Sequence, residues 1–173
     1  METIKTNRII SMILATALAV TAVFGGFISE VHASTTDAEK AYKAAKTSYN
    51  KSVKKTKKAK KSYAAAKKSA EATARAFRTR KPAKKVIKMA KKALKKCKKA
   101  KKDITAAQKS LRVTADKCSY AVKVAVNDED KACIKKAETL LEKTQLLYDQ
   151  TKQQTDGTEN YITLLKYVLK YLK

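Results

Sequence analysis

Between residues 38 and 77 the chain keeps a seven-residue rhythm. Tyr42, Tyr49, Thr56, Tyr63, Ala70 and Phe77 form one row, and Ala38, Ala45, Ser52, Ala59, Ala66 and Thr73 form a second. The stretch is crowded with lysine, yet no Lys or Arg falls on either row. Rows that alternate in steps of three and four mark the buried seam of a long helix. One row is bulky and the other small, which suits close approach of a partner helix. Thr36-Asp37-Ala38-Glu39 has the spacing of a capping box at its start.

Arg78-Thr79-Arg80-Lys81-Pro82 interrupts the rhythm, and Pro82 suits the first turn of a new helix. A second seam then follows Ile87, Ala90, Leu94, Cys97, Ile104, Leu111, Ala115, Cys118, Val122 and Ala125, with Lys101 and Gln108 as interruptions. Asn127 and Asp128 read as the next helix cap, with Glu129 and Asp130 favourably placed for the helix dipole. A third helix carries Cys133, Ala137, Leu140, Thr144 and Leu147 on one face. Asp156-Gly157 reads as its stop. Thr158 would then cap a short fourth helix bearing Tyr161, Ile162, Leu165, Val168, Leu169 and Leu172.

These elements predict an all-α fold: a long antiparallel, coiled-coil-like helical hairpin with a third and a short fourth helix packed at one end. The hairpin covers residues 34–126 with its turn at 78–82, and residues 127–173 pack on its base. On this reading residues 57–100 form a two-helix arm.

The first 33 residues have the layout of a secretory signal: Lys5 and Arg8, an apolar run over 9–28, and Val31-His32-Ala33 as a cleavage site before Ser34. An uncleaved anchor is the alternative. Either form sends the rest of the chain out of the cell, so the expected location is extracellular or at the cell surface, in a bacterial setting. His32 is the single histidine, so the exported part would lack one. That excludes Ser–His and Cys–His catalysis and His-ligated metal.

Charge sharpens the picture. Residues 34–118 hold 30 Lys/Arg against 5 Asp/Glu, a net of +25, whereas residues 119–173 are nearly neutral at +1. Such an excess repels itself and exceeds what solubility requires. It points to an anionic partner. Lys greatly outnumbers Arg, and an ammonium reads charge rather than geometry. The expected contact residues are Lys54, Lys55, Lys57, Lys58, Lys60, Lys61, Lys84, Lys85, Lys88, Lys91, Lys92, Lys95, Lys96, Lys98 and Lys99.

The cysteines add one expectation. Cys118 and Cys133 lie symmetrically about the Asn127 turn, which predicts a disulfide between them. Cys97 is left free or bridges two chains. No C-x-x-C, glycine-rich loop or paired-carboxylate arrangement is present, so neither an enzymatic activity nor a cofactor or small-molecule substrate is expected. The sequence thus predicts a secreted, non-enzymatic polycation that binds extracellular polyanions such as wall teichoic acid, extracellular DNA or acidic glycans. Anionic polymers or an anionic membrane surface are the expected partners. A structural protein that self-associates through its heptad seams or Cys97 is one alternative. A membrane-active cationic helix protein is the other.

Overall fold

The computed structural model describes residues 35–172, and the expected signal segment lies outside them. Three long helices pack side by side: α1 (Thr35–Arg78), α2 (Ala83–Asn127) and α3 (Lys131–Tyr171). No strand occurs among the described residues. Each helix exceeds 40 residues, so the bundle is about 65 Å long.

Both rows read from α1 reach the interior, in different depths. Ala38, Ala45, Ser52, Ala59, Ala66 and Thr73 are fully buried, while Tyr42, Tyr49, Tyr63 and Phe77 are half-buried at the flank. The small row forms the floor of the α1–α2 contact, and the aromatics close its edge. Cross-helix hydroxyls fix the register: Ser52 Oγ lies 2.8 Å from both Ser110 Oγ and Thr114 Oγ1, and Ser48 Oγ lies 2.9 Å from Thr114 Oγ1. Tyr63 and Tyr49 therefore sit near the levels of Cys97 and Leu111, as a turn near residue 80 requires.

On α2 the seam differs from the expectation by one residue in one of its rows. Ala90, Cys97, Ile104, Leu111, Cys118 and Ala125 are buried as read. Their companions are Val86, Ala93, Ala100, Ala107, Thr114 and Ala121. Ile87, Leu94, Ala115 and Val122 are half-buried beside them. The apparent interruptions at Lys101 and Gln108 vanish, because Ala100 and Ala107 hold those levels. Bulk draws the eye to Ile87 and Leu94, but the row that is buried beside them is mostly alanine, with Val86 and Thr114 as its larger members.

The two turns share one construction. Lys81 N–H donates to the Ala76 carbonyl and Asp130 N–H to the Ala125 carbonyl, each closing a six-residue loop around a left-handed residue, Arg80 (φ 50°) or Glu129 (φ 55°). Pro82 then precedes α2, and its carbonyl accepts from Lys85 and Val86 N–H. The cap of α3 is Asp130 rather than Asn127 or Asp128; its carboxylate accepts from Cys133 N–H at 2.9 Å. α2 continues through Asn127 because Val124 and Ala125 are still buried there.

The third element differs most. α3 runs without a break through Asp156 and Gly157, and no separate fourth helix exists among the described residues. Its buried row of Ala137, Thr144, Thr151, Thr158 and Leu165 keeps the seven-residue step across the glycine. Packing along 41 residues outweighs one unfavourable residue costing about 1 kcal/mol. α3 consequently follows the hairpin to its Pro82 end. Tyr161 meets Tyr63 at a ring separation of 6.4 Å, and Tyr171 meets Phe77 at 5.5 Å. No bare two-helix arm remains over 57–100.

The Cys118–Cys133 disulfide does not form: Cys97, Cys118 and Cys133 are free and buried. Arg112 bonds Tyr148, and Lys101 bonds Glu159. This register sets Cys118 beside Thr144, with which its thiol hydrogen-bonds. Cys133 is eleven residues from Thr144 along α3, about 16 Å away, beyond the reach of a disulfide.

Candidate polyanion-binding face

α2 opens with a seven-residue unit repeated three times. Lys84-Lys85 with Lys88, Lys91-Lys92 with Lys95, and Lys98-Lys99 with Lys102 occupy equivalent positions, all exposed. The seam residues Ala90 and Cys97 precede the second and third units, as the exposed Ala83 precedes the first. The buried step and the charged step therefore have the same period, and helix packing on one side aims three lysines outward on the other about every 10.5 Å. Lys96 is exposed next to them.

The α1 cluster of Lys54, Lys55, Lys57, Lys58, Lys60 and Lys61 is exposed as well. Given the antiparallel register, it does not face the α2 cluster. It follows it along the bundle axis, extending the cationic surface toward the middle of the molecule. Among the described residues only Lys58 of the fifteen expected contact lysines joins an ion pair, 3.3 Å from Asp103.

Asp103, Glu71 and, from α3, Glu159, which lies 3.0 Å from Lys101, are acids set within this field, and all three are engaged. Asp103 accepts from Ser62 at 2.5 Å, and its side chain is only 11% exposed. The Ser62 hydrogen bond, helped by Lys58, holds its carboxyl below the usual value even though burial opposes this. Glu71 approaches Lys67 at 3.9 Å and accepts from the Tyr161 hydroxyl at 3.4 Å. Burial, then the neighbouring Tyr63 and Glu71, raise the Tyr161 phenol. These acids tie helices together and leave the lysines largely uncompensated.

Other cations lie outside the fifteen expected contact lysines. Arg75, Arg78, Arg80 and Lys81 continue the field around the turn. From α3, Lys166 and Lys170 join Lys91 around a shallow groove of about 550 Å³ whose apolar lining is Ile87 and Leu169. Reading the α3 heptad through Gly157 would have brought these two lysines to α2.

The thiols have a different character. Burial pushes Cys118 up to about 11 despite its bond with Thr144, raises Cys97, and raises Cys133 with help from Asp130. They behave as small apolar core side chains. Among the described residues no group of three or more His, Cys, Asp or Glu is placed to hold a metal ion.

Comparison of the chain with protein-family models, curated proteins and solved structures finds no match.

Proposed function

We propose that this protein is an exported, non-enzymatic helical bundle that binds extracellular polyanions through its lysine face. Wall teichoic acid, extracellular DNA and acidic glycans are the candidate ligands. The observation that carries this reading is the threefold lysine unit on α2, exposed and free of any Asp or Glu between residues 72 and 102. A fold needs only the seam; the regular outward lysines add repulsion that a bound polyanion would relieve.

Exposed ammonium groups on flexible stems give attraction without geometric readout. Binding is therefore expected to depend on phosphate or carboxylate density and to release counterions. The test is retention of residues 34–173 on teichoic acid and duplex DNA over a salt series, with loss of binding at high salt as the expected result. Retention that ignores salt would refute the reading.

A further inference from the structure

The Pro82 end of the bundle carries a chemistry that polyanion binding leaves unused. Tyr167 and Tyr171 are 58% and 69% exposed, with Leu164 beside them on the same last turns of α3. Tyr171 meets the half-buried Phe77 edge-on at 5.5 Å and stacks on Tyr167 at 6.2 Å. The core at this level is already completed by Leu165 and Val168. The aromatic ladder is thus surplus to the fold, a contiguous apolar surface in water.

Its surroundings are cationic throughout. No Asp or Glu occurs in residues 72–102 or 160–173, the segments that build this end. On the other flank of α3, Ile87 and Leu169 form an apolar floor rimmed by Lys91, Lys166 and Lys170. Both flanks of the same helix end therefore combine apolar surface with positive charge.

We propose that this end docks on an anionic phospholipid bilayer, with Tyr167 and Tyr171 entering the headgroup layer while Lys166, Lys170 and Arg78 meet lipid phosphates. Tyrosine suits that layer, since its ring is apolar and its hydroxyl stays wet. Basic side chains next to it are drawn to the negative leaflet. The groove beyond α3 matches the same amphiphile, a phosphate for the rim and glycerol or acyl carbon for the floor. Among the described residues no helix is long and apolar enough to cross a membrane, and the docking proposed is a peripheral one at the headgroup layer. A single-stranded nucleic acid fits less well. Stacking on bases uses ring faces, and Tyr167 and Tyr171 each give one face to the other, with a 28° interplanar angle.

The docking rests on aromatic insertion, so it can fail independently of the polyanion reading. Residues 34–173, the compact unit of the three helices, are sedimented with vesicles of 3:1 phosphatidylcholine to phosphatidylglycerol and with phosphatidylcholine alone. Binding to the anionic vesicles only is expected. Replacing Tyr167→Ser and Tyr171→Ser together should weaken vesicle partition at least tenfold and change duplex DNA affinity less than twofold, with the circular dichroism melt retained. A Tyr171→Trp variant should shift its emission to the blue on anionic vesicles. Unchanged partition in the serine pair would overturn the docking, as would an equal loss on DNA and vesicles. Steep, salt-sensitive DNA binding without vesicle binding would remove the docking and keep the polyanion reading. Tyrosine-dependent vesicle binding without DNA binding would do the reverse.

Discussion

Tyr63 fits against Gly157: a Cβ on the glycine would stand 2.5 Å from the tyrosine hydroxyl and 3.2 Å from two ring carbons. The residue that reads as the stop of a helix is a notch in the middle of one. It lets an aromatic of α1 pass across α3 toward Tyr161.

Gly157→Ala sets two effects against each other. Alanine gains about 1 kcal/mol of helix propensity, and overpacking costs about 1–3 kcal/mol. Tyr63 is held on one side by Tyr161, so the overpacking should win and the melting temperature should fall. In a Tyr63→Phe background the closest contact disappears while the 3.2 Å ring contacts stay, and the same substitution should destabilise less. Thermal melts of the four proteins give this cycle directly; the absence of coupling would mean that Tyr63 simply swings aside.

The lesson from this pair extends to the whole fold. Helix identity, the Pro82 turn and the α1–α2 register were legible because they rest on periodicity and turn chemistry, which are local. The continuity of α3 was not, because its support comes from α1 and α2. Thr151, Thr158 and Leu165 keep the heptad across Gly157, and a threonine row draws less notice than a glycine. The one-residue offset on α2 has a similar cause, since Ala93, Ala100 and Ala107 matter here for being small. The candidate lysines were legible from charge, while Lys166 and Lys170 reach the site only once α3 is seen to run its full length.

Asp103 and Asp130 make stability acid-sensitive. Both carboxyls lie below the ordinary aspartate value of 3.8, Asp103 chiefly through Ser62 and Asp130 through the backbone of Cys133. A depressed value in the folded state means that the stabilisation is complete above the ordinary value and is lost as pH falls through the depressed one. The melting temperature should therefore drop below about pH 4. Asp103→Asn, which loses a charge-assisted bond, should cost about 1–2 kcal/mol at pH 7 and flatten that acid limb. An acid limb of equal steepness in the variant would assign it elsewhere.

The turn residues offer a gain. Arg80 and Glu129 hold left-handed backbone, where a side chain costs about 1–2 kcal/mol and glycine costs little. Arg80→Gly and Glu129→Gly should each raise the melting temperature by about 3–5 °C. Thr79→Gly, placed one residue before the left-handed position, should give no such gain. Differential scanning calorimetry separates the three.

The free thiols should be silent in the native protein. With Cys118 near 11, only about one molecule in a thousand carries its thiolate at pH 8, and burial blocks access to it. Ellman's reagent should report no fast thiol in buffer and three in guanidinium chloride, one for each free cysteine. A native Cys118–Cys133 link found by peptide mapping would contradict the α2–α3 register.

The lysine face makes a prediction in which stability and binding move in opposite directions. Lys88, Lys92, Lys95 and Lys99 are exposed on the outward side of α2, three or four residues apart in sequence, with no acid nearby on their own helix before Asp103. Like charges at those spacings destabilise a helix by a few tenths of a kcal/mol per pair. Replacing the four with Gln keeps helix propensity similar. The variant should therefore melt higher than the parent at low salt, and the gap should close as salt screens the repulsion. Its grip on duplex DNA should weaken at the same time, with the slope of log K against log salt flattening by up to about 3.6, or 0.9 for each phosphate contact removed. A surface lysine that served only solubility would show the first effect without the second. If the slope is unchanged while the melt rises, these lysines do not touch the polymer, and binding belongs to the α1 cluster or to the turn around Arg78 and Arg80.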